Sequence, residues 1–264
     1  MVKAPSRAEV QPCRCKPRSA VTLTDEEQDR LNLDTKFMDL VSSGDIEGVK
    51  KMIEANQEVN VGDDSGSSSC HKAMALSDGG AMMRLLVDNG AFADYCDMYG
   101  NRPINAGMQN GETSDPLVEY LLSLTDPSGE RVVDLKRINQ KSGNSVLMDA
   151  AWVGNTHACK ELLKTGAFSD LLEHHNKQGQ TAMHIAAFRA PKDLVAALVD
   201  AGANSNAPEK NGRRLSKETP EMMAAAMGRD DTAQYLKDLN VAVNAVKFGA
   251  RMKMKKGGGE GAAA

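Results

Sequence analysis

Apolar pairs recur along the chain, and each pair lies in a short stretch with the helical spacing of apolar and polar positions. Examples are Leu85/Leu86, Leu121/Leu122, Leu162/Leu163 and Leu198/Val199. An alanine-rich stretch precedes several of them, as at Ala150/Ala151 and Ala186/Ala187. Each block therefore predicts two short helices, the first rich in alanine and the second in leucine. A glycine follows the second helix at Gly90, Gly166 and Gly202, where it can end the helix in a left-handed cap.

These blocks repeat with a nearly constant period. The segment Leu147–Asp170 aligns with Met183–Asn206, and the same frame fits earlier and later parts of the chain. Equivalent positions are 34, 33, 43, 36 and 38 residues apart, counted between Gly44, Asp78, Gly111, Gly154, Ala190 and Gly228. A basic period near 33 with loop insertions accounts for all five intervals, so the sequence predicts a repeat protein.

The fifth unit reads Gly-Gln-Thr-Ala-Met-His-Ile-Ala-Ala over residues 179–187. This is similar to the pattern G-x-T-P-L-H-x-A-A, so the chain resembles the ankyrin-repeat family over about 35–239. The resemblance implies an all-α repeat solenoid of about six helix–loop–helix units with hairpin-like finger loops. Units two and three depart from the pattern, since Ser69-Cys70-His71 stands where Thr-Pro-Leu is usual and unit three lacks the closing Gly-Ala. Their register stays open.

The ends of the predicted helices follow local rules. Ser145, Thr181 and Thr219 are placed to cap helix N-termini, and Pro103 and Pro220 take the first helical position. Thr24 and Glu27 form a capping-box pair. We therefore expect a basic, disordered tail over 1–24, a capping helix over 25–34, and a repeat domain over 35–245. The six units fall at about 35–63, 64–96, 97–139, 140–175, 176–208 and 209–240, and a basic, then Gly/Ala-rich tail follows over 246–264.

Charge is unevenly distributed along the 264 residues. The 32 basic and 36 acidic residues give a net charge of −4. Residues 1–24 and 247–264 each carry five basic residues and one acidic one, which leaves 22 basic and 34 acidic residues between them. An acidic body of this kind argues against general electrostatic binding of nucleic acid. The low aromatic content of 4% fits a solenoid packed by alanine and leucine.

The five cysteines lack the spacing of a disulfide framework and predict reduced thiols in an intracellular compartment. The longest apolar stretch, near 194–199, is too short to span a membrane, and residues 1–24 lack the apolar core of a secretory signal. We expect a cytoplasmic location, with the nucleus or import into an organelle through a cleaved transit peptide as alternatives.

Catalytic motifs are absent from the sequence: there is no phosphate loop, zinc-protease helix or nucleophile elbow. His184 is the helix-start histidine of the family pattern, for which we expect a structural role. His174 and His175 fall in a finger loop, and Cys13 and Cys15 have no partner ligands at zinc spacing. We expect no enzyme activity, no metal, no cofactor and no small-molecule substrate.

The resemblance implies a concave binding face formed by the finger tips and the exposed side of each first helix. Matching register places nine candidate partner-binding residues there: Tyr99, Asn101, Gln109, Asn144, Trp152, Lys177, Gln180, Phe188 and Arg189. Trp152 is the only tryptophan in the chain, and Phe188 is its counterpart one unit later. The cluster has the composition of a binding hot spot. The alternative is that the two rings stack on each other and seal the stack.

Three consecutive fingers are enlarged, and insertions in repeat proteins collect on the binding face. The enlarged loops contain apolar residues, namely Val132, Val133, Leu135, Leu171 and Leu172. Phe92 and Phe168 occupy a slot that is usually polar, where each either covers the finger base or is exposed.

We therefore predict a non-enzymatic protein–protein interaction module, a scaffold or adaptor that is monomeric alone. The alternative is a structural accessory subunit of a larger assembly. In that case its basic tails would be anchored on an acidic protein, membrane or nucleic-acid surface through Arg251, Lys253, Lys255 and Lys256.

Overall fold

The computed structural model describes residues 24–76, 80–109, 115–209 and 218–242. Within these ranges the chain forms short helices that alternate with loops. They are α1 Asp25–Ser43, α2 Ile46–Glu54, α3 Ser69–Met74, α4 Gly80–Asp88, α5 Pro103–Gln109, α6 Asp115–Ser123, α7 Val146–Val153, α8 Thr156–Lys164, α9 Ala182–Arg189, α10 Lys192–Asp200 and α11 Pro220–Ala226. Residues 230–242 are also helical. The basic tails predicted at both ends, with the four anchor residues, lie outside the described residues except for Thr24.

The helices stack in two layers. Each odd-numbered helix packs against the next odd-numbered one, from α1 to α11, and the even-numbered helices α2 to α10 pack in the same way. The two helices of each pair also contact each other. In the described part of the chain the β-structure is limited to two isolated bridges, Gly62–Ser68 and Thr125–Arg131. The predicted all-α repeat stack is confirmed, whereas the limits of the individual units stay predictions.

Alanines are packed in the odd layer beside larger side chains, and leucines are packed in the even layer. Ala150, Ala151, Ala186 and Ala187 are fully buried, because alanine lets neighbouring first helices approach closely. Leu86, Leu121, Leu162 and Leu198 are fully buried between successive second helices. No unit could bury these faces alone, so the core exists only in the stack.

Helix ends follow the predicted capping. The Ser145 hydroxyl accepts the backbone N–H of Met148, and the Thr219 hydroxyl accepts that of Met222. Gly154 ends α7 with a φ of +81°, in the left-handed region that glycine adopts without strain. These short helices therefore begin and end where the sequence specifies.

Two sequence expectations need correction. The segment 25–34 is not a separate capping helix. The capping box of Thr24 and Glu27 does start a helix there, but it runs on without a break to Ser43. In unit two Ser68, and not Ser69, takes the threonine position of the pattern, since Ser68 is the N-cap of α3 and His71 its third residue. The threonine position thus lies one residue before the Ser69 of the alignment given above, and this settles the register that the sequence left open for unit two.

Apolar residues of the enlarged loops point inward. Val133, Leu135 and Leu172 are buried, and Phe168 is only 1% exposed, so Phe168 covers the finger base. Phe92 is half-buried. The two enlarged loops that the structure describes in full therefore extend the core rather than offering an apolar surface.

Candidate functional site

The fingers that begin units three, four and five each end in a tight turn that an Asp or Asn side chain closes. Asp97 Oδ1 accepts the backbone N–H groups of Tyr99 and Asn101, both at 2.8 Å. Asn139 and Asn176 close the next two turns in the same way. Such bonds let a short polar side chain replace a backbone partner and hold the tip rigid.

The finger tips also bond directly to one another. The N–H of Met98 donates to the Ser65 carbonyl at 2.9 Å, and that of Lys177 donates to the Ser142 carbonyl at 3.1 Å. Between these two contacts, Asn139 Nδ2 donates to the Tyr99 carbonyl at 3.2 Å. The tips of units two to five therefore form a continuous row with a fixed spacing.

A groove of about 590 Å³ lies between this row and the exposed sides of the first helices. Its walls come from units three, four and five. The lining residues are Tyr99, Asn101, Asn105, Gln109, Asn139, Ser142, Asn144, Asp149, Trp152, Val153, Asn176, Gln178, Gln180, Ile185 and Phe188. The groove is therefore mixed in chemistry, with aromatic rings on the helix side and carboxamides toward the fingers.

Trp152 exposes an aromatic ring in this groove. Its side chain is 47% exposed, and the guanidinium carbon of Arg189 lies 4.4 Å from the centre of its ring. This cation–π contact holds the indole in place. Phe188 is half-buried beside it, while Tyr99 and Val153 are exposed. The partner of Trp152 is thus the Arg189 guanidinium, and the indole keeps an accessible surface.

A carboxylate lies at the floor of the groove. Asp149 accepts hydrogen bonds from Asn105 Nδ2 at 2.8 Å and from Asn144 Nδ2 at 2.7 Å. Burial raises the pKa of Asp149 from its ordinary 3.8 to about 6, and the bond from Asn144 and the charge of Arg102 only partly oppose this shift. The floor therefore carries a group that titrates close to physiological pH.

A buried ion pair fixes the long loop of unit three behind this floor. Arg102, which occupies the threonine position of the repeat, is 3% exposed and places its guanidinium 3.0 Å from Asp94. The same guanidinium donates to the Asp134 carbonyl at 2.5 Å, and Asp94 accepts the N–H of Asp134 at 3.0 Å. Burial raises the pKa of Asp94, and the neighbouring arginine opposes that change. The ion pair thus connects the finger at the start of unit three to the enlarged loop at its end.

Buried histidines connect successive units. His184 Nδ1 accepts the N–H of Thr181 at 3.2 Å, while its Nε2 lies 3.2 Å from the Glu218 carbonyl of the next unit. His71 makes the equivalent bonds to Ser68 and to the Asn101 carbonyl. Burial lowers the pKa of both rings, so both are neutral near pH 7. This geometry is that of a structural histidine.

The structure brings most of the predicted residues together. Seven of the nine line the groove: Tyr99, Asn101, Gln109, Asn144, Trp152, Gln180 and Phe188. Arg189 covers the indole of Trp152. Lys177 lies on the finger tip outside the groove wall and donates to the Gln140 carbonyl at 2.6 Å. Whether a partner contacts these residues stays a prediction.

Sequence reasoning missed the polar floor. Asp149 and Asn105 occupy repeat positions that hold Ile185 and His184 in unit five, so the register alone gave no sign that they meet. Asn139 and Asn176 were missed although they belong to the same fingers as the predicted residues. Extending the register to every finger residue would have found both.

One cluster of side chains outside the groove has the spacing of metal ligands. In the described part of the chain Glu119, His157 and Glu161 each offer one ligand atom within 4.8 Å of the others, on the outer helices α6 and α8. His157 Nε2 already lies 2.9 Å from Glu119, and Lys164 pairs with Glu161.

Among the described helices, none is both long and apolar enough to cross a membrane.

Comparisons with known proteins agree with the helical stack. The family described as ankyrin repeats (three copies) matches residues 109–209 and 147–247. Rabankyrin-5 of Mus musculus and of Homo sapiens are 35% and 34% identical over 85 residues. Those residues make up 32% of this chain and only 7% of each Rabankyrin-5 sequence.

Two solved structures share the fold. One is a chain of the complex between the predatory endopeptidase Bd0816 of Bdellovibrio bacteriovorus and the immunity protein Bd3460. It has a TM-score of 0.62 and 19% identity, covering 76% of this chain and 96% of that one. The other is an ankyrin repeat domain from Acinetobacter baumannii AYE, with a TM-score of 0.58 and 20% identity, covering 76% and 95%.

The matched family covers more than half of the chain, and the matched range contains helices α6 to α11. Ankyrin repeats are generally modules for protein interaction. The chain belongs to the ankyrin-repeat family.

Proposed function

We propose that this protein is a non-enzymatic scaffold or adaptor that binds a partner protein through the groove between the fingers and first helices of units three to five. The observation that carries the proposal is the clustering of exposed Tyr99, Trp152 and Val153 with Phe188 in one groove of about 590 Å³. Large aromatic residues in a concave, pre-formed site are typical of binding hot spots.

The groove is rigid before any partner arrives. The finger turns are closed by side-chain bonds, and the tips bond to one another. Arg189 already holds the indole of Trp152. A site that is ordered in advance loses little conformational entropy on binding, and this favours affinity. One structural neighbour comes from a complex of an endopeptidase with an immunity protein, which is consistent with a binding role for this fold.

A quantitative affinity purification tests the proposal. The full chain, the double variant Trp152→Ala/Phe188→Ala and a control, Leu33→Ala, are used as baits in parallel. Leu33 is 50% exposed on α1 and does not line the groove. We expect a specific partner to be retained by the wild type and the control and lost from the double variant. Equal recovery on all three baits would exclude the groove as the binding face.

The charge distribution supports a second candidate, a structural accessory subunit. The chain combines an acidic body with a basic excess in residues 1–24 and 247–264. Subunits held in this way should dissociate when those two segments are deleted, even if Trp152 and Phe188 are intact. Co-purification that survives the deletion would argue against this candidate and in favour of the groove.

A further inference from the structure

The chemistry of the groove indicates what kind of segment it binds, and this inference rests on the function proposed above. Eight of its fifteen lining residues are asparagine or glutamine. A carboxamide offers both a donor and an acceptor, so it can bond to the N–H and the C=O of a peptide main chain alike. A row of carboxamides along a groove is therefore suited to main-chain recognition.

These eight carboxamides fall into two groups, five asparagines that bond within the protein and three glutamines. Asn101 Nδ2 donates to Asp97 Oδ2 at 3.3 Å, and Asn139 Nδ2 donates to the Tyr99 carbonyl at 3.2 Å. Asn105 and Asn144 are bonded to Asp149, and Asn176 Nδ2 donates to Asn144 Oδ1 at 3.0 Å. This group is fixed by its internal network. By contrast, Gln109, Gln178 and Gln180 form no side-chain hydrogen bond with any other described residue, so no described residue competes with an occupant for the donors and acceptors of their amides.

Charge at the edge of the groove has one sign. Lys141, Lys177 and Arg189 are exposed at its edge, and none of them forms an ion pair within the described part of the chain. Asp97 on a finger tip and Asp149 at the floor belong to the same face, and both carboxylates accept hydrogen bonds from neighbouring groups. A cationic edge on an otherwise acidic repeat body favours an occupant with negative charge. It disfavours the basic segments of this chain itself.

The dimensions favour an extended segment. Packed helices lie about 8–10 Å apart, so a groove crossing three units is about 20–30 Å long. An extended chain rises about 3.3 Å per residue, and about six to nine residues would fill that length. The exposed face of Trp152 beside Phe188 then receives one apolar side chain near the middle.

We propose that the groove binds an extended acidic peptide segment of a partner protein. Gln109, Gln178 and Gln180 bond to its main chain. One aromatic or aliphatic side chain packs on Trp152 and Phe188. Carboxylates on either side of that residue face Lys141, Lys177 and Arg189.

A peptide display library of random segments of about eight residues, selected against the full chain, tests this proposal. We expect the enriched peptides to carry acidic residues on both sides of one aromatic or aliphatic residue. Their synthetic versions can be titrated through the fluorescence of Trp152, which is the only tryptophan of the chain. We expect Lys141→Glu/Lys177→Glu to weaken binding at least tenfold, and 500 mM NaCl to weaken it relative to 50 mM.

The matched control is Lys160→Glu/Lys237→Glu, which changes the net charge equally at exposed positions outside the groove. It should leave the affinity within about twofold of wild type. Neutral or basic peptides that still require Trp152 would overturn the acidic chemistry while leaving the proposed function intact. Peptides that bind the Trp152→Ala/Phe188→Ala variant as tightly as wild type would overturn the groove itself. A third outcome is that no peptide is enriched although the purified partner still needs Trp152 for binding. The groove would then bind a folded surface, and the proposal of an extended segment would be wrong.

Discussion

The pH dependence of stability gives the sharpest energetic prediction, because one buried carboxyl at the floor of the groove has a displaced pKa. Asp149 has a pKa of about 6 in the folded protein against an ordinary value of 3.8. Above pH 6 the group is ionised both folded and unfolded, and its burial opposes folding. Between pH 6 and pH 4 the folded protein binds the proton while the unfolded chain does not. The free energy of unfolding therefore rises as the pH falls through this range.

The magnitude follows from the two pKa values. One pKa unit corresponds to about 1.4 kcal/mol, so the full contribution of Asp149 is about 3 kcal/mol. Between pH 7 and pH 5 the expected gain is about 1.3 kcal/mol. The contributions of His71 and His184 to the free energy of unfolding have the opposite pH dependence. Burial lowers the pKa of both rings, so acid favours the unfolded chain, in which they are protonated more easily. The measurement must therefore isolate the carboxyl.

The variant Asp149→Asn removes the titration while keeping the shape of the side chain. Urea unfolding at pH 7 and at pH 5 gives the free energy of unfolding of each protein. We expect this free energy to rise from pH 7 to pH 5 by about 1 kcal/mol more for wild type than for the variant. The histidine contributions are common to both proteins and cancel in this difference. The two proteins should also show equal slopes in urea. If the free energy of unfolding changes between pH 7 and pH 5 by the same amount in both proteins, within about 0.3 kcal/mol, then burial does not raise the pKa of Asp149.

Three further substitutions test how the fingers are held. His184→Ala removes the bond toward the Glu218 carbonyl and opens a cavity, so urea unfolding should show a loss of about 2–3 kcal/mol. Gly143→Ala places a Cβ 2.7 Å from the Lys177 backbone nitrogen at a φ of +77°. We expect a loss of about 1–2 kcal/mol, with faster amide hydrogen exchange in that finger. Phe168→Ala should cost about 3–5 kcal/mol, because its ring is fully buried; a thermal midpoint equal to wild type would contradict that placement.

The sequence was enough to predict the helices and most of the groove lining. Repeat register carries this information, since Trp152 and Phe188 occupy the same position of consecutive units and therefore lie side by side. Helix starts were predictable because capping depends on neighbouring residues only, as with the Ser145 hydroxyl and the Met148 N–H. Local and periodic rules are sufficient for such features.

The remaining features depend on contacts between residues far apart in the chain. Arg102 could not be read as one half of a buried ion pair, because its partners Asp94 and Asp134 come from a finger and from an inserted loop. The pairing of Asn105 with Asp149 joins two units across 44 residues. The one-residue error in unit two had another cause, since three serines precede Cys70 and any of them could begin the helix.

Photo-crosslinking from inside the groove tests the central claim most directly. A photoreactive benzophenone amino acid is placed at Val153, which is 38% exposed and lines the groove, and a control at Leu33 on α1. The account predicts a discrete protein adduct at position 153 that is missing at position 33 and is lost when Phe188→Ala is added. An adduct at position 33 alone, or one at position 153 that persists with Phe188→Ala, would contradict it.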